Sequence, residues 1–130
     1  MNDKKGVILF VDDEYYILQT LKAILRRDFA SYHLLFAQSG QEALELLNEF
    51  SENAERQLLV FSDWLMPGMK GDELLLAVAG RYPYSKNFLL SGMINREPPE
   101  DIFERAKIIK IIEKPWENSE LIDLIKTVLD

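Results

Sequence analysis

The chain has 130 residues, 48% of them hydrophobic and 28% charged, with a formal net charge of -7 and no cysteine. That length holds one domain with a real core. An acidic balance without a basic stripe argues against direct nucleic-acid binding, and the missing cysteines exclude disulfides, thiolate chemistry and cysteine-based zinc sites. No apolar run approaches the ~18 residues that span a bilayer, and the start, MNDKKGVILFVDDE, lacks the apolar stretch of a signal peptide. The expectation is a cytoplasmic chain with no membrane partner.

The predicted elements alternate in type. Val7 to Val11 is an apolar, β-rich run that stops abruptly at Asp12-Asp13-Glu14. Ile17, Leu18, Leu21, Ile24 and Leu25 follow at helical spacing, predicting a first helix from about Glu14 to Asp28. Tyr32 to Ala37 reads as a second strand. Ser39 suits a helix cap, and Ala43, Leu44 and Leu47 mark a second helix ending near Ser51. SENAERQ reads as a polar loop. Leu58 to Ser62 is a third strand, and it delivers Asp63 into a turn punctuated by Pro67, Gly68 and Gly71. A third helix follows from about Asp72 to Tyr82. Phe88 to Leu90 is a short fourth strand ending at Ser91-Gly92. Pro98 and Pro99 suit only the first turn of a helix, predicted from about Pro99 to Ala106. Ile108 to Ile112 is a fifth strand, ended by Glu113-Lys114-Pro115. Asn118 or Ser119 is placed to cap a last helix carrying Leu121, Ile122, Leu124, Ile125 and Leu129. Strand and helix alternate five times, so the expected fold is α/β, a parallel sheet covered on both faces in a single domain over residues 1–130.

In such a sheet the carboxyl ends of strands one, three, four and five converge. They carry Asp12 and Asp13, then Asp63, then Ser91, then Lys114. Carboxylates brought that close repel: two unit charges ~4 Å apart interact by about 4 kcal/mol at an effective dielectric of 20. One lysine does not balance three of them. A hard divalent cation does, and oxygen-only ligands suit Mg2+ or Mn2+. A metal with open positions invites a phosphoryl group. Lys114 is a point charge for a phosphate oxygen and Ser91 a hydroxyl donor. Asp63 is then the nucleophile, because a carboxylate can form an acyl phosphate.

VDDE after strand one, SDWLMPGMKG after strand three, LLSG after strand four and EKPW after strand five, in that order and spacing, resemble the receiver domain of two-component response regulators. The resemblance covers the whole chain. It implies a flavodoxin-like, doubly wound (βα)5 domain with strand order 2-1-3-4-5 and the site at the topological switch point. It implies that Asp63 is the phosphoacceptor, that Asp13 and Asp63 ligate the metal directly, that Asp12 holds it through water, and that the backbone carbonyl of Leu65 is a further ligand. Ser91 becomes the switch hydroxyl and Lys114 the phosphate-pairing lysine. The implied partners are a sensor histidine kinase or phosphotransfer protein and a downstream output domain or protein. The implied role is a signalling receiver, not an enzyme acting on a substrate, that catalyses its own phosphotransfer and slow dephosphorylation. The resemblance also implies that Leu65 and Met93 flank the path of the hydrolytic water.

Taken singly, these residues have blander readings. Asp12-Asp13 suits a helix start, Asp63 suits a turn, and Ser91 and Lys114 suit a surface. His33, in the middle of the second strand and far from the cluster, reads as structural, Trp64 and Trp116 as packing or loop anchors, and Met66, Met69 and Met93 as loop apolar residues. A flavin binder would need a Gly/Ser/Thr-rich phosphate cradle after strand one, where Asp12-Asp13-Glu14 stands. A phosphatase of the haloacid dehalogenase type would need a second acid two residues after Asp63, where Leu65 stands. Two positions depart from the receiver pattern: Ile111 replaces the usual aromatic three residues before the lysine, and Pro98 and Pro99 stand adjacent in the region of the fourth helix.

Overall fold

Five largely apolar runs make the centre of the molecule. The computed structural model describes residues 3–92 and 98–129. Strands β1 (Val7–Val11), β2 (His33–Ala37), β3 (Leu58–Asp63), β4 (Lys86–Ser91) and β5 (Ile108–Glu113) form one sheet in the order β2-β1-β3-β4-β5. Every pairing is parallel, which agrees with the expected order. The central strands are buried on both faces, which explains why β1 and most of β3 read as unbroken apolar runs rather than alternating ones.

Side chains of a strand alternate between faces, and the core accordingly splits in two. Val7, Leu9, Val11 and Val60 pack toward α2 (Gly40–Glu49) and α4 (Gly71–Arg81). Ile8, Phe10, Phe61 and Phe88 pack toward α1 (Tyr15–Leu25) and α6 (Asn118–Leu129). On this second face Phe36, Phe10, Phe61 and Phe88 share one cross-strand row. Their rings stack nearly parallel, with centroids 6.1, 4.6 and 4.5 Å apart.

Local chemistry sets the element ends. Ser39 caps α2, its Oγ accepting from Glu42 N at 3.1 Å, while Glu42 Oε1 accepts from Gln38 N at 2.6 Å. The stretch expected as a polar loop holds a short helix, α3 (Ser51–Ala54). Asn53 draws it inward by donating from Nδ2 to Lys4 O at 3.0 Å, and Ala54 is buried. α1 stops at Leu25, earlier than expected. Two adjacent arginines and Asp28 end its apolar stripe, and the next core side chain, Phe29, packs from a turn. β4 begins at Lys86, before the apolar run, because Asn87 is buried with its amide donating to Ala106 O at 2.7 Å. α5 (Glu100–Arg105) follows Pro99. Asn118 and Ser119 both lie inside α6, whose first turn closes from Leu121 N to Glu117 O. His33 is the first residue of β2 rather than a central one, and its ring packs on Phe50 at 4.9 Å.

Candidate active site at the strand ends

Parallel strands in register end at one level, and this is what assembles the site. Asp63 closes β3 and Ser91 closes β4, paired across the sheet with Leu90 and Glu113 respectively. The ladder runs one residue past each strand: Asp12 N donates to Ala37 O at 3.0 Å, Trp64 N to Leu90 O at 3.1 Å and Lys114 N to Ser91 O at 2.9 Å. Those backbone bonds hold Asp12, Asp63 and Lys114 around one point.

The loop after Asp63 folds back onto it. Gly71 N donates to Trp64 O at 2.7 Å. A Cβ on Gly71 would lie 2.2 Å from Asp63 O, so only glycine lets α4 start this close to the acid. Gly68 turns the same loop with φ 77°. Trp64 and Met66 are buried in the core, and Met69 packs against Gly40. Trp64 packs as the sequence suggests, while Met66 and Met69, expected as loop apolar residues, also pack on the core. Leu65 stands out from the loop with its side chain exposed.

The charges are compressed. Carboxylate oxygens of Asp12, Asp13 and Asp63 all lie within 4.8 Å of one another. Asp12 is 1% exposed. Its Oδ1 accepts from Glu14 N at 2.9 Å, and its Oδ2 accepts from Lys114 Nζ at 2.8 Å. Lys114 Nζ also stands 3.2 Å from Asp63 Oδ1. Burial raises the Asp63 pKa above the ordinary 3.8, Asp12 and Asp13 push it further, and Lys114 opposes them. Burial works against the charge on Lys114, but the bond to Asp12 and the field of Asp63 outweigh it, so that pKa is also raised. Ser91 is buried beside them.

All of the expected site residues that carry side-chain chemistry are therefore brought together: Asp12, Asp13, Asp63, Ser91 and Lys114. Leu65 sits two residues past Asp63, and Met93 lies outside the described residues. Among the described residues, Lys114 is the cation paired with these carboxylates. The donors are all oxygens, with no imidazole or thiolate, and that set suits a hard divalent ion. Sequence reasoning missed two contributors, the Glu14 N–H on Asp12 and the close approach of Gly71. The glycine in MPGMKG was visible, but nothing local shows which atom it must admit. Trp116 packs on the second core cluster and, with Ile17, Lys114 and Pro115, borders an apolar recess of about 400 Å3 beside the site.

Comparison with known proteins fits this geometry. The family model for the response regulator receiver domain matches residues 8–126, and the chain belongs to that family. It is thus a receiver module of two-component signalling, a family that binds Mg2+ at an acidic cluster and works with kinases and output domains. The hydrogenase transcriptional regulatory protein HoxA of Cupriavidus necator is 30% identical over 130 residues, which is 100% of this chain and 25% of that protein. The chain so spans about a quarter of that relative's length. The two-component response regulator ARR12 of Arabidopsis thaliana is 41% identical over 68 residues, 52% of this chain and 11% of that protein. Among solved structures, the signal receiver domain of an HD domain-containing protein from Pseudomonas fluorescens Pf-5 superimposes with a TM-score of 0.76. It shares 30% identity, over 97% of this chain and 88% of that one. No helix among the described residues is long and apolar enough to cross a membrane.

Proposed function

We propose that residues 1–130 act as one receiver domain whose Asp63 takes a phosphoryl group from a phosphohistidine on a sensor kinase or phosphotransfer protein in the cytoplasm. The observation that carries this reading is the meeting of Asp12, Asp13 and Asp63 with Lys114 at the carboxyl ends of the strands, 2.8 and 3.2 Å from the lysine to two of the acids. Asp63 attacks phosphorus through a carboxylate oxygen. A P–O bond forms as the P–N bond breaks, and the imidazole nitrogen leaves with the electron pair. Asp13, Asp63 and the Leu65 carbonyl would hold Mg2+ or Mn2+ directly, with Asp12 reaching it through water. When bound, the ion neutralises the acids and the charge on the phosphoryl oxygens.

The other residues handle the arriving charge. Lys114 exchanges its contact with Asp63 for a phosphoryl oxygen, and keeps its proton because its pKa is raised. Ser91 donates its hydroxyl to a second oxygen. Ser91 closes β4 and Lys114 follows β5, so their movement repositions the surface of α5, β5 and α6, which an output domain or protein reads. Ile111 is partly buried against the first core cluster. It carries no ring to swing inward, so the two states differ by loop and helix position. The domain transfers and slowly loses its own phosphoryl group and acts on no other substrate, and its acidic surface gives nucleic acid no footing.

Incubation with acetyl phosphate and Mg2+ should add one phosphate by intact mass, and none without a divalent ion. Equal labelling of Asp63→Asn would remove Asp63 from the role. Amide exchange with and without beryllofluoride tests the switch, and no change between Ser91 and Trp116 would end that part of the reading.

A further inference from the structure

β2 closes one side of the sheet, and among the described residues no strand pairs with its outer edge. His33 N donates to Gly6 O at 2.9 Å and Asp12 N to Ala37 O at 3.0 Å, so His33, Leu35 and Ala37 turn their backbone groups to β1. In a parallel ladder the residues between them face the other way. The N–H and C=O of Leu34 and Phe36 therefore point out of the sheet. The next outward N–H, of Gln38, is already taken by Glu42 at 2.6 Å. Exposed edges are ordinarily blunted by charge, proline or a bulge. The sequence HLLFA has no proline, and its only polar residue is at the far end; four of its five residues are partly exposed. A groove of about 520 Å3 runs along this edge, with Tyr15, Gln19 and Lys22 of α1 on one side and Glu42, Leu46 and Glu49 of α2 on the other.

We propose that this edge receives an extended segment of another protein as a sixth strand, with apolar residues toward α1 and lysine or arginine toward α2. An added strand would bond to Leu34 and Phe36 and send alternate side chains to the two faces. On the α1 face it meets Leu18, Leu34 and Phe36, and on the α2 face Leu35, Leu46 and Phe50. Charge selects the occupant. α2 reads GQEALELLNE, with exposed Glu42, Glu45 and Glu49 and no basic residue. A lysine lays its aliphatic stem over Leu46 and brings its ammonium to these acids. A second copy pairing β2 with β2 about a two-fold would instead set two such acidic rows side by side, on chains of net charge -7.

The probe is a synthetic octapeptide of alternating valine and lysine, with a valine–glutamate octapeptide as control, each titrated into the full chain. Calorimetry gives the affinity, and amide NMR shifts give the location. The lysine peptide should shift Leu34 and Phe36 and bind at least about tenfold tighter than the glutamate peptide. Phe36→Pro removes one outward N–H without touching the ladder to β1 or the net charge, and should weaken the lysine peptide roughly tenfold. Glu49→Lys, on an exposed helix face, should weaken the lysine peptide and strengthen the control, and it decides the matter if Phe36→Pro does not fold. Equal affinity for the two peptides, no binding of either, or shifts confined to Asp12, Asp13 and Asp63 would overturn the proposal. So would a concentration-dependent dimer of the chain alone that Phe36→Pro abolishes.

Discussion

Lys114 donates to Asp12 at 2.8 Å across 102 residues of sequence, and Asp12 is the most deeply buried acid of the cluster. The lysine is the cation that the folded, metal-free site relies on. Lys114→Met removes the cation that bridges Asp12 and Asp63 in the crowded cluster. Removing one partner of a buried pair is expected to destabilise the metal-free protein by on the order of 3 kcal/mol. Urea melts with and without Mg2+ check this. The ion should recover much of the loss in the variant, since it supplies the missing charge. An equal loss with and without Mg2+ would mean that Lys114 acts through packing instead.

Asp63 makes a second stability prediction, with a defined pH window. Its pKa in the fold is raised, by burial first and by Asp12 and Asp13 next, against Lys114. A carboxyl whose folded pKa is raised binds its proton more tightly folded than unfolded. Its contribution is favourable at low pH and is lost as pH rises from about 4 through the folded pKa. Without divalent ions, Asp63→Asn should therefore be more stable than the parent at pH 7, with the gain vanishing below about pH 4. Saturating Mg2+ should reverse the order, because a ligand at 100 times its Kd stabilises the parent by roughly 2.7 kcal/mol. Thermal melts at several pH values, with EDTA and with Mg2+, give both comparisons.

Gly71 couples packing to the site. An added methyl would sit 2.2 Å from Asp63 O and 2.9 Å from Trp64 Cα. Both are backbone atoms, so the loop must move. Gly71→Ala should cost about 1–3 kcal/mol and weaken Mg2+ binding by displacing the carboxyl end of β3. The fluorescence of Trp64, buried next to Asp63, reports the titration. Unchanged Mg2+ affinity would show that the loop relaxes without moving the acid.

Leu65 bears on how long a phosphoryl group lasts. Its side chain is exposed, two residues past Asp63, and has no group to orient a water. Leu65→Asn adds one. Positioning worth ~1.4 kcal/mol changes a rate tenfold, so phosphate loss from Asp63 in Mg2+ should speed up by roughly that factor. An unchanged rate would place control of hydrolysis elsewhere.

Much of this fold was legible because strand and helix carry different periods. Val7–Val11 appears in the structure with the bounds its composition suggests, and Ser39 caps α2 as its residue type suggests. What was misjudged depended on distant partners. SENA reads as loop until Asn53 finds Lys4 O, and the fourth strand reads as starting at Phe88 until the Asn87 amide finds Ala106 O. His33 looked central because Tyr32 continues the β-rich run, yet the ladder to β1 begins only at His33.

The sequence by itself determined the alternation of strands with their main helices, the parallel sheet and the residue types at the strand ends, because hydrophobic period, turn residues and right-handed crossovers leave few topologies. It also determined that acids outnumber cations there. The tertiary structure alone decided how those groups pair: that Lys114 bridges Asp12 and Asp63, that Glu14 N holds the other oxygen of Asp12, and that Gly71 must admit the backbone of Asp63. It alone decided that Leu34 and Phe36, not Leu35, face the open edge of β2. The physical reason is range. Periodicity is a local property, set by each residue's own backbone and near neighbours. Hydrogen-bond partners and burial depend on register between segments 25 to 102 residues apart, which only the packed sheet specifies.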